Sequence, residues 1–254
     1  MELIDTHAHL TGLESTRLDS ILSSAKDADI SKIICIGASD GILPNYEALE
    51  LAQTHSNIYA SIGLHPHDAG KHFWNEDLEE LANDPKVVGI GETGLDYFKN
   101  WSDFEEQEKL FRETISIAKN LNKPLIIHCR NAHDKTIQIL KEEKGPNLRG
   151  VFHCFGESAE IANQVFELDF IISLTGIITF KNAHALRAEI AQISLDQIML
   201  ETDSPYMAPE PYRGKESESA HVKIIAQTIA NLHNTTIEEV AKKTTDNANK
   251  LFAF

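Results

Sequence analysis

Basic residues are scarce in this chain: Lys and Arg number 23 against 39 Asp and Glu, a net charge of −16 with histidine neutral. Sequence-reading of a long duplex normally uses a broad basic surface that neutralises many phosphates, so this composition argues against it. A phosphodiester substrate stays open, because bound divalent cations can neutralise one phosphate locally. Cysteine is also rare. Cys35, Cys129 and Cys154 cannot all pair with one another, and each lies in or just after an apolar run, the pattern of reduced, mostly buried thiols in a cytoplasmic protein. No apolar run is long enough to span a membrane. The segment "MELIDTHAHL" has no basic region followed by an apolar one, so no secretory signal is expected. Low-complexity tracts, long Gly/Ser linkers, internal repeats and Walker or dinucleotide fingerprints are lacking. No boundary divides the sequence, so residues 1–254 are expected to form one domain, and no obligate protein partner is indicated.

What is present is a regular alternation. Apolar runs predict strands at 2–5, 32–37, 57–64, 86–92, 124–129, 149–154, 169–175 and 197–203. Amphipathic stretches fall between them. Phe104, Phe111, Ile115 and Ala118 share one face of a helix over 104–121, and Ile161, Val165 and Leu168 share another. After the last strand, Val222, Ile225, Ile229 and Leu232 mark a helix. Thr236, with Glu239 three residues on, opens a final one carrying Ile237, Val240, Ala241 and Thr244. Strands alternating with helices at this length predict a (β/α)8 barrel of the TIM type with an extra C-terminal helix. A doubly wound sheet is the competitor, but it usually carries the glycine-rich phosphate loop missing here.

The predicted strand ends carry the chemistry. Strand 1 ends on His7 and His9, which period-two alternation puts on one side, with Asp5 at the same parity. His65 and His67 follow strand 3. Glu92, His128, His153 and the pair Glu201 and Asp203 end strands 4, 5, 6 and 8. In a barrel these ends converge on the face where active sites lie. A lone histidine is more often a surface or core residue than a ligand; coincidence of position carries the case. Charged groups there are costly unless paired or bound to metal. His55, His72, His133, His184, His221 and His233 lie in helical or loop stretches, and most are expected to be solvated. Four histidines and two or more carboxylates exceed one four-coordinate ion and suit two ions sharing a bridging carboxylate. Imidazole favours Zn, Mn, Fe, Co or Ni over an oxygen cage for Ca.

The ordered motifs "DTHAHL", "GLHPH", "GIGETGLDY", "IIHCR", "HCF", "ETDSPY" and "PYRGK" resemble the TatD family of metal-dependent deoxyribonucleases, among the amidohydrolase-like barrels. The resemblance runs from residue 4 to about 250. It implies one metal on His7, His9, Glu92 and Asp203 and a second on Glu92, His128 and His153, with two divalent ions such as Zn, Mg or Mn as cofactors. It also implies hydrolysis of DNA phosphodiesters, including trimming from the 3′ end. Two departures stand out. Thr11 replaces an Asp common after the first motif, and "ESESAHV" (216–222) replaces the usual segment after "PYRGK". Neither touches an expected ligand; the second bears on substrate preference.

On this basis Asp203 is expected to bind metal and take a proton from water activated by the two ions, and Glu92 to bridge them. His65, Arg130 and Arg213 are the candidate phosphate contacts. Glu201 either orients a ligand or forms a structural ion pair. Asp96 either binds substrate or organises its loop, the simpler role. His67, after Pro66, is read as a loop cap. The expected activity is 3′–5′ exonucleolysis of single-stranded DNA ends. The rival is hydrolysis of an amide, lactone or ester, such as an aminoacyl linkage, on the same metals. A non-catalytic nucleic-acid scaffold is disfavoured by the complete ligand set and the acidic surface.

Overall fold

Isoleucine- and valine-rich runs, suited to a pleated and fully buried sheet, form the strands of the computed structural model, which describes residues 1–38, 40–99 and 101–254. In chain order the elements are β1 (Leu3–Ala8), α1 (Ser15–Asp27), β2 (Ile30–Ile36), α2 (Leu43–Thr54), β3 (Ile58–Ile62), α3 (Glu76–Asn83), β4 (Val87–Asp96), α4 (Phe104–Leu121) and β5 (Leu125–Arg130). They continue with α5 (His133–Glu142), β6 (Gly150–Phe152), α6 (Ala159–Phe166), β7 (Phe170–Leu174), α7 (His184–Ile190), β8 (Ile198–Leu200), α8 (Val222–Leu232) and α9 (Ile237–Phe252). The strands pair in parallel in sequence order. The seam is drawn together by a parallel bridge between Ala8 and Ser204. There Asp203 N–H donates to His7 O at 2.9 Å and His9 N–H to Ser204 O at 2.8 Å. This is the expected (β/α)8 barrel with an added C-terminal helix. No described helix is long and apolar enough to cross a membrane.

Helix starts follow local chemistry. Asp103 accepts from Glu105 N–H at 2.8 Å and opens α4, and Thr236 accepts from Glu239 N–H at 3.2 Å and opens α9. Phe111, Ile115 and Ala118 of α4 are buried as the spacing predicts. Phe104 is not; it sits at the first turn, exposed, and stacks on Tyr97 with centroids 4.3 Å apart.

Alternation sorts the strand side chains into two apolar layers. Leu3, Ile33, Cys35, Ile58 and Ile127 pack outward against the helices. Ile4, Ile34, Val88, Ile126, Val151 and Met199 form a second cluster with Leu251 and Phe252 of α9. That cluster floors the barrel at the N-terminal ends of the strands, opposite the expected site. Phe252→Ala is therefore expected to cost about 3–5 kcal/mol of stability. Urea unfolding checks it, and an unchanged midpoint would mean α9 is only draped over the floor.

Two positions on the floor point directly to the site, since side chains two residues further along share a face. Ile126 leads to His128, and Val151 to His153. β1 departs from the pattern. A register shift between Asp5 and Ala8 breaks the parity assigned to Asp5 and His7. Asp5 instead ties the seam, accepting from Thr202 N–H at 2.9 Å and from Thr202 Oγ1 at 2.7 Å. Burial nonetheless pushes its carboxyl up to about 7.

Candidate metal centre

Strands β3, β6, β7 and β8 are shorter than the apolar runs suggest, whereas β1, β2 and above all β4 are longer. His9, His65, His153, Glu201 and Asp203 lie just past their strands, whereas Glu92 and His128 lie within β4 and β5. β4 continues to Asp96 because glycines let it lie close on β5. Gly91 and Gly94 have φ of 147° and 136°, and a Cβ on Gly94 would collide with the His128 carbonyl. "TGLD" looks like a turn in isolation, but it is strand.

Glu92 is the centre of the cluster. Its Oε2 lies 3.4 Å from His7 Nε2 and 3.9 Å from His9 Nε2. Its Oε1 lies 2.7 Å from His128 Nδ1, 2.8 Å from His153 Nε2 and 3.5 Å from His65 Nε2. Asp203 Oδ1 stands 3.6 Å from His7 Nε2 and 3.5 Å from His9 Nε2. The six residues expected to hold metal are thus brought together. Three overlapping groups have donor atoms close enough for one ion: His7, His153 and Asp203; His7, His9 and Glu92; His65, Glu92 and His128.

The donor chemistry fits a metal. His7 is fully buried, yet neither ring nitrogen has a hydrogen-bond partner. Such orphans are rare in protein interiors and are expected of a ligand. Burial, reinforced by the charge on His153, lowers its pKa and favours the neutral, ligating form. Burial alone would raise Glu92, but His153, His65 and His128 outweigh it and hold the carboxyl well below its usual range. Asp203 is lowered too: burial opposes, while a bond from His9 and the charges of His7 and His153 prevail.

The surrounding contacts settle several open roles. Asp96 Oδ2 lies 3.2 Å from His128 Nε2 and 2.9 Å from His67 Nε2, while its Oδ1 accepts from Phe98 and Lys99 N–H at 2.9 and 3.0 Å. It organises its loop, as expected, and also leaves His128 Nδ1 facing Glu92. Glu201 accepts from Cys154 N–H at 2.7 Å and Ser173 Oγ at 2.5 Å, and its Oε1 stands 3.4 Å from His153 Nδ1. It is a fixed carboxylate behind a candidate ligand. The loop cap is His65, not His67: His67 N–H donates to His65 Nδ1 at 3.2 Å. A neutral imidazole that accepts at Nδ1 carries its proton on Nε2. Burial lowers the His65 pKa to about 4, so the ring is neutral near pH 7. In that form its Nε2–H is a donor on the side of Glu92 Oε1, 3.5 Å away.

The two arginines stand outside the donor cluster. Arg130 lies over the Phe98 ring at 3.9 Å, and Arg213 over Phe180 at 4.2 Å. His221 is not solvated; it is buried, stacks on Tyr212 at 4.7 Å, and accepts from Glu218 N–H at 3.3 Å. The atypical segment thus has its own order, with Glu216 and Glu218 3.5 and 3.6 Å from Arg17. Asp96 carried a signal that the sequence reading undervalues: 92, 94 and 96 keep strand parity if β4 runs on.

Metal uptake has to displace protons from this cluster. Burial lowers the pKa of His153, but Glu92 and Glu201 outweigh it and hold it well above the ordinary 6.5. His128 and His9 are raised in the same way by Asp96 with Glu92 and by Asp203 with Glu92. A raised pKa keeps the proton on to higher pH, so lowering pH strengthens the proton as competitor, and metal affinity is expected to rise with pH through neutrality. Calorimetry of Zn or Mn binding at pH 7 in buffers of different ionisation enthalpy checks this. Proton release is expected; its absence would mean these imidazoles are not displaced.

Comparison with known proteins agrees with this chemistry. The family model described as TatD related DNase matches residues 4–253. The chain is 40% identical over 254 residues to the uncharacterized metal-dependent hydrolase YabD of Bacillus subtilis strain 168, covering 98% of each. It is 33% identical over 262 residues to the 3′-5′ ssDNA/RNA exonuclease TatD of Erwinia amylovora, covering 98% of this chain and 99% of that one. The crystal structure of the TatD homologue YjjV from Escherichia coli K12 superposes with a TM-score of 0.90 at 30% identity, covering 99% of this chain and 98% of that one. Strand order, donor cluster and whole-chain matches converge: the chain belongs to the TatD family of metal-dependent hydrolases.

Proposed function

We propose that this protein hydrolyses DNA phosphodiester bonds as a 3′–5′ exonuclease on single-stranded ends, with two divalent ions held by its histidine–carboxylate cluster. The observation that carries this is the placement of Glu92, whose two oxygens face different histidines: His7 and His9 on one side, His128 and His153 on the other. In this assignment His7, His9, Glu92 and Asp203 would hold one ion, and Glu92, His128 and His153 would hold the second. Divalent ions there supply an acidified water and charge neutralisation on the phosphate. Asp203 is the group placed to accept a proton, since the bond from His9 and the charges of His7 and His153 hold its carboxyl below its usual range and keep it ionised. His65 donates from Nε2 to a phosphate oxygen, and Arg130 and Arg213 offer guanidinium forks to the phosphates that follow. The relative named as an exonuclease on single-stranded DNA and RNA supports this choice among hydrolases. Three free thiols fit a reducing compartment, the cytoplasm.

A net charge of −16 disfavours the many phosphate contacts a duplex needs, so one chain end should reach the cluster while intact duplex binds poorly. The test compares a linear single-stranded DNA with its closed circle under equal Mn and salt. The linear strand is expected to shorten from its 3′ end and the circle to survive. A circle cut as fast as the linear strand is shortened would replace this activity with an endonuclease. Inertness toward both, with turnover of a lactone or ester, would replace it with carbonyl hydrolysis.

A further inference from the structure

The rim of the cluster carries large aromatic rings that the fold leaves in water. Trp101 is 59% exposed and Tyr206 60%. Each meets a histidine beside the site, at opposite ends. Trp101 sits edge-on to His67 with centroids 4.4 Å apart, and His67 in turn lies 4.2 Å from His65. Tyr206 sits edge-on to His9 at 6.0 Å. His65 faces Glu92 Oε1 and His9 faces Glu92 Oε2. Contacts from the two rings therefore reach different oxygens of the central carboxylate, Trp101 through His67 and His65, Tyr206 through His9.

Cations accompany the ring on the β4 side. Lys99 Nζ lies 5.4 Å from the Trp101 ring and 5.4 Å from the exposed Phe98 ring, over which Arg130 stacks. Aromatic faces beside basic side chains are the means by which proteins hold unpaired nucleotides: rings stack on bases, and cations take the phosphates between them. The position of these rings is not explained by packing. The chain's other tryptophan, Trp74, is buried and donates to Thr114 Oγ1 at 2.9 Å.

We infer that Trp101 and Tyr206 are base-stacking platforms that hold the unpaired bases on either side of the phosphodiester to be cut. This rests on the phosphodiesterase activity proposed above and adds to it a reason for strand selectivity. Bases in a duplex stack on one another and cannot be offered to the rings; bases at a frayed or single-stranded end can. The rings act by positioning the nucleotides and not on the reacting atoms.

Two measurements test it. The first needs no cleavage. The Mn-loaded protein is titrated with a short single-stranded oligodeoxynucleotide of phosphorothioate linkages while tryptophan emission is followed. Stacking on Trp101 quenches the exposed emission, and the buried Trp74 serves as internal reference. Trp101→Phe abolishes the quench. The second compares kcat/KM for an oligonucleotide ending in thymidines with one ending in abasic residues, which has the same phosphodiesters and no bases. The preference of the intact protein for bases is expected to fall on the order of tenfold in Trp101→Ala and Tyr206→Ala. Trp101→Phe should restore most of it, as a merely structural role would not. Equal cleavage of both substrates by the intact protein, with no quench, overturns the platforms and leaves the phosphodiesterase standing. Quenching without cleavage of either substrate upholds the platforms and overturns the activity.

Discussion

Glu92→Ala is expected to abolish turnover, with a fall of roughly a thousandfold or more, because in the proposed assignment several kcal/mol of charge stabilisation depend on ions that Glu92 would share. The side chain is buried at 3% exposure, and histidines from four different strand ends surround it. Truncation removes the oxygens that face both groups, so both metal positions weaken together. The fold should survive, since the cluster stands above the apolar floor and not within it. Metal analysis and turnover of the purified variant check this. Two ions bound with near-normal turnover would sink the shared-carboxylate assignment.

Asp203→Asn tests proton removal with little change of shape. The backbone of Asp203 donates to His7 O at 2.9 Å, a bond the substitution leaves in place at the barrel seam. The amide keeps the side-chain volume but cannot serve as a base at neutral pH. A general base contributes roughly 10²–10⁴-fold, and a loss of that size in kcat is expected. The second ion proposed above, on Glu92, His128 and His153, would not use Asp203, so at least that ion is expected to stay bound. Near-normal kcat in Asp203→Asn would move the base elsewhere in the cluster.

How much of this was legible in the sequence differs from residue to residue. His128 and His153 could be placed because Ile126 and Val151 set the inward face two residues earlier, and a strand repeats every second residue. His7 was found for a partly mistaken reason. Uninterrupted alternation would have carried Asp5 to the same face, but the register shift in β1 separates them, leaving Asp5 at the seam with Thr202. Asp96 is visible but easily undervalued, because the apolar run predicts a strand that ends at Glu92 and Gly94 lies between the two carboxylates. That His65 and not His67 caps the loop turns on a single bond, from His67 N–H to His65 Nδ1, that spacing cannot disclose. Trp101 and Tyr206 lie in loops with no periodicity, where sequence gives no expectation of burial.

The sequence by itself determined the barrel, the set of donors and the acidic balance of the surface. These depend on short-range periodicity, on residue chemistry and on charge, all of which survive without knowledge of neighbours in space. Tertiary structure alone decided how the donors are shared. That Glu92 turns one oxygen toward His7 and His9 and the other toward His128 and His153 follows from closure of the barrel, which brings β1 across the mouth from β5 and β6. That α9 seals the floor with Phe252, and that Asp96 stands behind His128, likewise depend on packing between segments far apart in the chain. Local spacing fixes which face a side chain takes; only the closed barrel fixes which side chains it meets there.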